Sequence, residues 1–253
     1  MPVGPHPDGG DVRDVSYDHS GRVVAVTGAA TGIGRATAAA FAESGADVVL
    51  LDIDEDAGRD AAAGVGRFVR CDVTSPDEVD RVFDRIGADH GRLDVLVNNA
   101  GGFWTQRTTE DLPLDEWDRV IALNLTAVYL TSRRAVSLLR ASPAGRIVNL
   151  GSLAGQVASF RTSPAYAAAK AGVHALTRIM ATELAPDGIT VNAIAPSAVL
   201  TERIRQVRDE GERAATAGTI PLCRYQDSSE IASWILFLAS SEAVFATWQT
   251  LSV

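Results

Sequence analysis

One junction constrains this chain more than any other. The apolar run Val-Val-Ala-Val-Thr at residues 23–27 leads into Gly-Ala-Ala-Thr-Gly-Ile-Gly at 28–34 and then into a helical pattern. Three glycines between a strand and a helix allow a tight turn and a close approach of ligand to backbone. The helix start that follows presents free N–H groups and a positive dipole end, which suit a pyrophosphate. Asp52 closes the next apolar run about 20 residues on, where a carboxylate can meet a ribose 2′-hydroxyl. Strand, turn, helix, strand and acid fall in register and predict a dinucleotide site. A carboxylate there repels a 2′-phosphate, so NAD is the expected cofactor rather than NADP. Arg35, after the last glycine, is read as facing solvent.

The rest of the chain repeats the alternation. Strands are expected at 23–27, 48–52, 66–70, 93–97, 146–150 and 190–194, with a seventh at 246–251. Between them run helical patterns at 33–44, 54–63, 75–90, 115–140, 163–184 and 227–239. Ser75 with Pro76 and two following acids is a helix start, with Ser as N-cap and Pro at N1. Apolar strand runs without in/out alternation imply burial on both faces. The expected fold is α/β, a doubly wound Rossmann-type domain. Its seven-stranded sheet is mainly parallel, with helices on both faces. No linker or repeat interrupts it, so residues 21–253 are read as one domain. Residues 1–20, rich in Gly, Pro, Asp and His, are read as a flexible extension. The polar stretch 197–219 is a long excursion between strand and helix, the usual form of a substrate loop.

Composition removes several function classes. The formal net charge of −9 disfavours a nucleic-acid or anionic-membrane partner. Cys71 and Cys223 match no metal spacing, and the four histidines form no ligand pattern, so no metal is expected. Neither a disulfide nor a signal peptide is expected, and a cytoplasmic location fits. The apolar stretch 231–246 is too short and too polar to span a membrane.

Tyr166 and Lys170 lie four residues apart, on one face of the predicted helix 163–184. A phenol with a pKa of about 10 is a poor base at neutral pH. A neighbouring ammonium favours the phenolate and makes general acid–base work possible. Alone, this spacing is a common solvated helix face. Here Ser152 lies fourteen residues before Tyr166, Asn124 sits in the long helical pattern, and Asn-Asn-Ala-Gly follows the fourth strand at 98–101.

Together with the glycine turn, these residues resemble the short, single-domain type of short-chain dehydrogenase/reductase, over nearly all of residues 21–251. The resemblance implies hydride transfer between a secondary alcohol or its ketone and a nicotinamide. Tyr166 would handle the proton. Lys170 would lower the tyrosine pKa and bind the nicotinamide ribose. Ser152 would hold the substrate oxygen, and Asn124 would hold a water leading to Lys170. It further implies cofactor contacts at Gly28, Thr31, Gly32, Ile33, Gly34, Asp52 and Ile53, and at Asp72 and Val73 beside adenine. Asn99, Ala100 and Gly101 would border the cofactor, with Pro196, Val199 and Thr201 near the carboxamide. Two departures stand out. Ser197 replaces a family glycine after Pro196, which predicts a changed loop path. Trp248 replaces another, which puts the family's tetramer in question and leaves a homodimer or homotetramer open.

The substrate is expected to be a small alcohol or ketone. Gly102, Phe103, Trp104, Leu153, Ala154 and Gln156 are candidates for its pocket. Arg203, Arg205 and Arg208 fit either an acidic substrate or a solvated helix face. Two other readings remain at this point: an NADPH-dependent 3-oxoacyl-carrier-protein reductase, and a non-catalytic dinucleotide sensor.

Overall fold

The structure, a computed structural model, describes residues 16–103, 105–157 and 162–253. Among these lie seven strands: β1 (Val23–Thr27), β2 (Asp47–Asp52), β3 (Arg67–Arg70), β4 (Val95–Asn98), β5 (Arg146–Leu150), β6 (Thr190–Ala195) and β7 (Thr250–Ser252). They form one sheet in the order β3-β2-β1-β4-β5-β6-β7, and every adjacent pair is parallel. The helices are α1 (Gly32–Glu43), α2 (Glu55–Ala62), α3 (Pro76–His90), α4 (Leu114–Ile121), α5 (Ala127–Arg140), α6 (Pro164–Leu184), α7 (Glu202–Val207), α8 (Glu210–Ala217) and α9 (Ser228–Ala239).

The uninterrupted apolar strands have a direct cause. Val23, Ala25, Val49 and Leu51 pack with Val79 and Phe83 of α3, Leu139 of α5 and Leu184 of α6. Their neighbours Val24, Val26, Val48 and Leu50 pack with Phe41 of α1 and with Ile231 and Ile235 of α9. Successive side chains point to opposite faces, so a sheet covered on both sides needs an apolar residue at every position. β1 has β2 on one side and β4 on the other, so the connections leaving β1 and β4 diverge. That divergence opens a crevice at the carboxyl ends of the strands, the usual ligand position in such sheets.

Helix α3 begins as its sequence specifies: Ser75 Oγ accepts from Glu78 N at 3.4 Å and Pro76 fills the first turn. The single helix expected over 115–140 is divided. Residues Ala122–Thr126 form a π-helical turn between α4 and α5. Such an insertion rotates the downstream face, and periodicity alone cannot show it. β7 starts later than expected, because Trp248 turns the chain at φ +69° before it. This left-handed conformation is one that glycine takes more readily.

Residues 1–15 of the expected flexible extension lie outside the described residues. The stretch 17–20 is docked on the domain. His19 is fully buried, its ring 4.9 Å from that of Phe41, and its N–H donates to Ser44 O at 2.9 Å. The Tyr17 ring lies tilted against that of Phe237, with centroids 6.2 Å apart.

Burial pulls His19 from 6.5 down to about 4. It does the same to His174 on α6, there aided by the charges of Lys170 and Arg178. The unfolded chain therefore takes up protons near pH 6.5 that the folded chain refuses until about pH 4. Stability should fall as pH drops through that window, by on the order of 3 kcal/mol for each histidine. Proton NMR titration of the imidazole signals reads this directly. Ordinary titration near 6.5 for both rings would contradict it.

Candidate active site

A cleft of about 1230 Å³ opens at the carboxyl ends of the strands, between the glycine turn and the loops after β4, β5 and β6. It is lined by Gly28, Thr31, Gly32, Ile33, Asp52, Ile53, Asp72, Val73, Asn99, Ala100, Gly101, Ser152, Tyr166, Lys170, Pro196, Val199 and Thr201. Of the expected catalytic and cofactor residues, Gly34 and Asn124 lie behind this wall, and of the expected pocket residues Leu153, Ala154 and Gln156 do not line it.

The cofactor side is built from backbone held by side chains. Gly28 and Gly32 take left-handed φ values of +63° and +55°. A Cβ on Gly34 would stand 2.0 Å from Gly28 O, so this glycine lets α1 pack onto the turn. Asn99 Nδ2 donates to Thr27 O and Gly28 O, both at 2.9 Å. Thr27 Oγ1 accepts from Asn99 N at 2.9 Å and Ala100 N at 3.0 Å. These four bonds latch β1 to β4 where the sheet divides.

Asp52 is oriented from both sides. Its Oδ2 accepts from Ala30 N at 2.9 Å and its Oδ1 from Asp54 N at 3.1 Å. Arg35 is turned away into an ion pair with Asp60 at 3.0 Å, largely in solvent. Thr201 lies against the turn, its Cγ2 3.3 Å from where a Gly32 Cβ would be. Ser197 does not take the left-handed conformation that a glycine would suit; among the described residues only Cys223 and Trp248 do so without being glycine. Its N–H donates to Val253 O at 2.9 Å. A serine is therefore compatible with this backbone, and the steric reason to expect a changed loop path is absent.

On the other wall, α6 presents Tyr166 and Lys170 into the cleft. The Tyr166 hydroxyl is hydrogen-bonded to the Ser152 side chain. Ser152 Oγ also accepts from Ala154 N at 3.1 Å, which fixes the turn after β5. Leu153 N donates to Pro196 O at 3.0 Å, tying that turn to the end of β6. The Phe103 ring lies 4.8 Å from the Tyr166 ring and walls the cleft beside it. Trp104 lies outside the described residues.

Lys170 faces the Tyr166 ring but spends its hydrogen bond on the backbone. Its Nζ donates to Leu150 O at 2.6 Å and lies 5.6 Å from the Tyr166 ring centroid. Burial pulls this ammonium down to about 8. Burial also pushes the Tyr166 phenol above its ordinary value, opposed by the Ser152 hydrogen bond and by the charge of Arg203. Arg203 bears on the phenol by its charge, and Lys170 bears on it from 5.6 Å while tethered to a backbone carbonyl.

Asn124 sits in the π-helical turn and is fully buried. Its Nδ2 donates to Gly102 O at 2.8 Å and Val120 O at 2.9 Å, and its Oδ1 accepts from Gly102 N at 2.8 Å. It therefore pins the segment before Phe103. A Cβ on Gly101 would stand 2.7 Å from Asn124 Oδ1 and 3.3 Å from Lys170 Nζ, so both groups converge on this glycine. Behind them Asn98 bonds Ser132 at 2.9 Å and Asn149 at 2.8 Å, bracing the sheet under α5.

Sequence reasoning left the role of Arg203 undecided, and spacing could not have resolved it. Its guanidinium crosses from α7 to donate to Phe103 O. Arg203 and Arg208 line the cleft; Arg205 does not. Among the described residues no group of His, Cys, Asp and Glu is arranged to hold a metal ion, and both cysteines are free. No described helix is long and apolar enough to cross a membrane.

Comparison with known proteins is consistent over the whole domain. A family model described as enoyl-(acyl carrier protein) reductase matches residues 28–253. The chain is 37% identical to a 3-oxoacyl-[acyl-carrier-protein] reductase FabG of Vibrio cholerae, covering 92% of this chain and 96% of the relative. It is 42% identical to a cis-4-hydroxycyclohexanecarboxylate dehydrogenase of Sinomonas cyclohexanicum, covering 92% and 94%. The crystal structure of a short-chain type dehydrogenase/reductase from Mycobacterium marinum superposes with a TM-score of 0.86. It is 33% identical and covers 93% of this chain and 95% of that one.

Proposed function

The chain belongs to the short-chain dehydrogenase/reductase family, and from that premise we propose that it is an NAD-dependent oxidoreductase interconverting a secondary alcohol and its ketone. The observation that carries the reading is Tyr166 hydrogen-bonded to Ser152 in the same cleft as the glycine turn and Asp52. The cleft fits a dinucleotide. The glycine turn leaves room for a pyrophosphate at the start of α1, and Asp52 is held ready for a ribose. Bound nicotinamide supplies the hydride acceptor in oxidation and the hydride donor in reduction.

The chain's own groups handle the oxygen and its proton. Ser152 donates to or accepts from the substrate oxygen and stabilises charge developing there. In oxidation the carbinol carbon loses a hydride and its oxygen loses a proton, which Tyr166 takes. In reduction Tyr166 returns that proton to the alkoxide oxygen. Lys170, which converges on Gly101, would bind a ribose hydroxyl, and Asn124 fixes the backbone there. A non-catalytic dinucleotide sensor has no use for Ser152, Tyr166 and Lys170 assembled in this way. The two free cysteines suit a cytoplasmic, reducing setting, and a homodimer or homotetramer is the proposed assembly.

A second reading, an NADPH-dependent 3-oxoacyl-carrier-protein reductase, is favoured by the similarity to FabG. Asp52 and the Arg35–Asp60 pair weigh against it: the carboxylate would meet the ribose 2′ position, and the nearby cation is engaged elsewhere. Steady-state turnover with each cofactor separates the two. We expect a preference for NAD, and Asp52→Asn should move the NAD-to-NADP ratio of kcat/KM by about a hundredfold, the size of a relieved like-charge contact. An unmoved ratio, or a parent preferring NADP, would favour the second reading.

A further inference from the structure

Resting on the alcohol–ketone reading above, we infer that Arg203 binds a carboxylate, so that the substrate is a hydroxy or oxo monocarboxylic acid with a compact apolar body.

The first support is charge. Arg203 lines the cleft and meets the Phe103 carbonyl, but no carboxylate among the described residues. Of the other guanidinium groups of the cleft, one is paired with a carboxylate and one is held by a hydroxyl. Arg119 pairs with Asp115 at 3.0 Å, and Arg208 donates to Thr216 Oγ1 at 3.1 Å. A guanidinium carries five N–H donors in a planar fork. A single carbonyl leaves a two-pronged edge for an anion, and a carboxylate matches it in bidentate geometry.

The second support is a seat made for this side chain. Gly102 has a φ of +140°, and a Cβ there would stand 2.9 Å from Arg203 Nη1. The missing side chain is what lets the guanidinium settle over the backbone. Asn124 holds both the N–H and the C=O of Gly102, so the seat is rigid.

The third support is position. Arg203 touches residue 103, and the Phe103 ring lies 4.8 Å from the Tyr166 ring. A carboxylate on Arg203 and an oxygen on Tyr166 are therefore spanned by a short apolar body resting on Phe103, such as a ring. Glu202 and Glu212 also line the cleft and weaken its positive potential. That balance suits a monoanion and opposes a phosphate dianion.

Calorimetric titration of the NAD-loaded protein with cyclohexanecarboxylate and with cyclohexanecarboxamide tests binding without turnover. We expect the acid to bind about 10- to 100-fold more tightly than the amide, the range of a charge-assisted hydrogen bond. Arg203→Ala should collapse that preference and Arg203→Lys should keep part of it. Melting curves of both variants check that each is folded. Equal affinity for acid and amide, or an acid preference that survives Arg203→Ala, overturns the inference. An Arg203-dependent acid preference in a protein that oxidises neither hydroxy acids nor neutral alcohols would instead remove the catalytic reading while leaving the anion site standing.

Discussion

Tyr166→Phe is expected to lower kcat/KM about a thousandfold in both directions, within the usual range for a positioned acid–base group. The substitution keeps the ring that lies 4.8 Å from Phe103 and removes only the hydroxyl bonded to Ser152. Cofactor affinity, read by quenching of NADH fluorescence, should change little, because the glycine turn and Asp52 are untouched. The pH profile gives a second signature. Burial holds the phenol above its ordinary value, so at neutral pH it is protonated and ready to act as an acid. Reduction should therefore proceed well at neutral pH, while oxidation should accelerate as pH rises and the phenolate becomes available. Both dependences should vanish with the hydroxyl. A Phe variant that retains parental turnover would remove Tyr166 from the mechanism.

Lys170→Met should separate activity from stability. The ammonium is 3% exposed, bonded to Leu150 O at 2.6 Å, and pulled down to about 8 by burial. Between its unfolded value of 10.5 and about 8 the unfolded chain binds a proton that the folded chain does not. Below about 8 both states carry the charge, and the full cost of burying it persists, on the order of 3 kcal/mol. Methionine relieves that cost and loses the bond to Leu150 O, a loss of about 1–3 kcal/mol. The melting temperature at pH 7 should therefore not fall. Activity should drop about a hundredfold: a cation 5.6 Å from the ring stabilises a phenolate by about 3 kcal/mol at an effective dielectric of 20. The Michaelis constant for NAD should rise as a ribose partner is lost. A variant that melts well below the parent would mean that Lys170 is a structural post.

These expectations could be read partly from the amino-acid order, for reasons that differ by element. The strands were legible because burial on both faces forces unbroken apolar runs, as in Val23–Thr27. The glycine turn was legible because left-handed φ values and the close Gly28–Gly34 packing admit almost nothing else. The Tyr166–Lys170 spacing correctly put both side chains on one face of α6. It did not show where the ammonium would point, because the Leu150 carbonyl that captures it lies 20 residues away on β5. The π-helical turn was hidden for a similar reason. Asn124 is bonded to Gly102 and Val120, and only the first of these bonds is distant in the chain. The reach of Arg203 to residue 103 spans a hundred positions, and local charge patterning favoured a solvated face. Local chemistry was readable; its partners across the fold were not.

The latch between Thr27 and Asn99 bears on how such an enzyme can diversify. It confines rigidity to one bank of the crevice, where backbone groups stand waiting before any guest arrives. A second bank, beyond the α6 wall, is made of α7 and α8, short helices of six and eight residues. New chemistry can therefore be explored by rewriting that bank alone, with the redox partner's berth left intact. Inheritance of one half and improvisation in the other is a division of labour already present in this architecture.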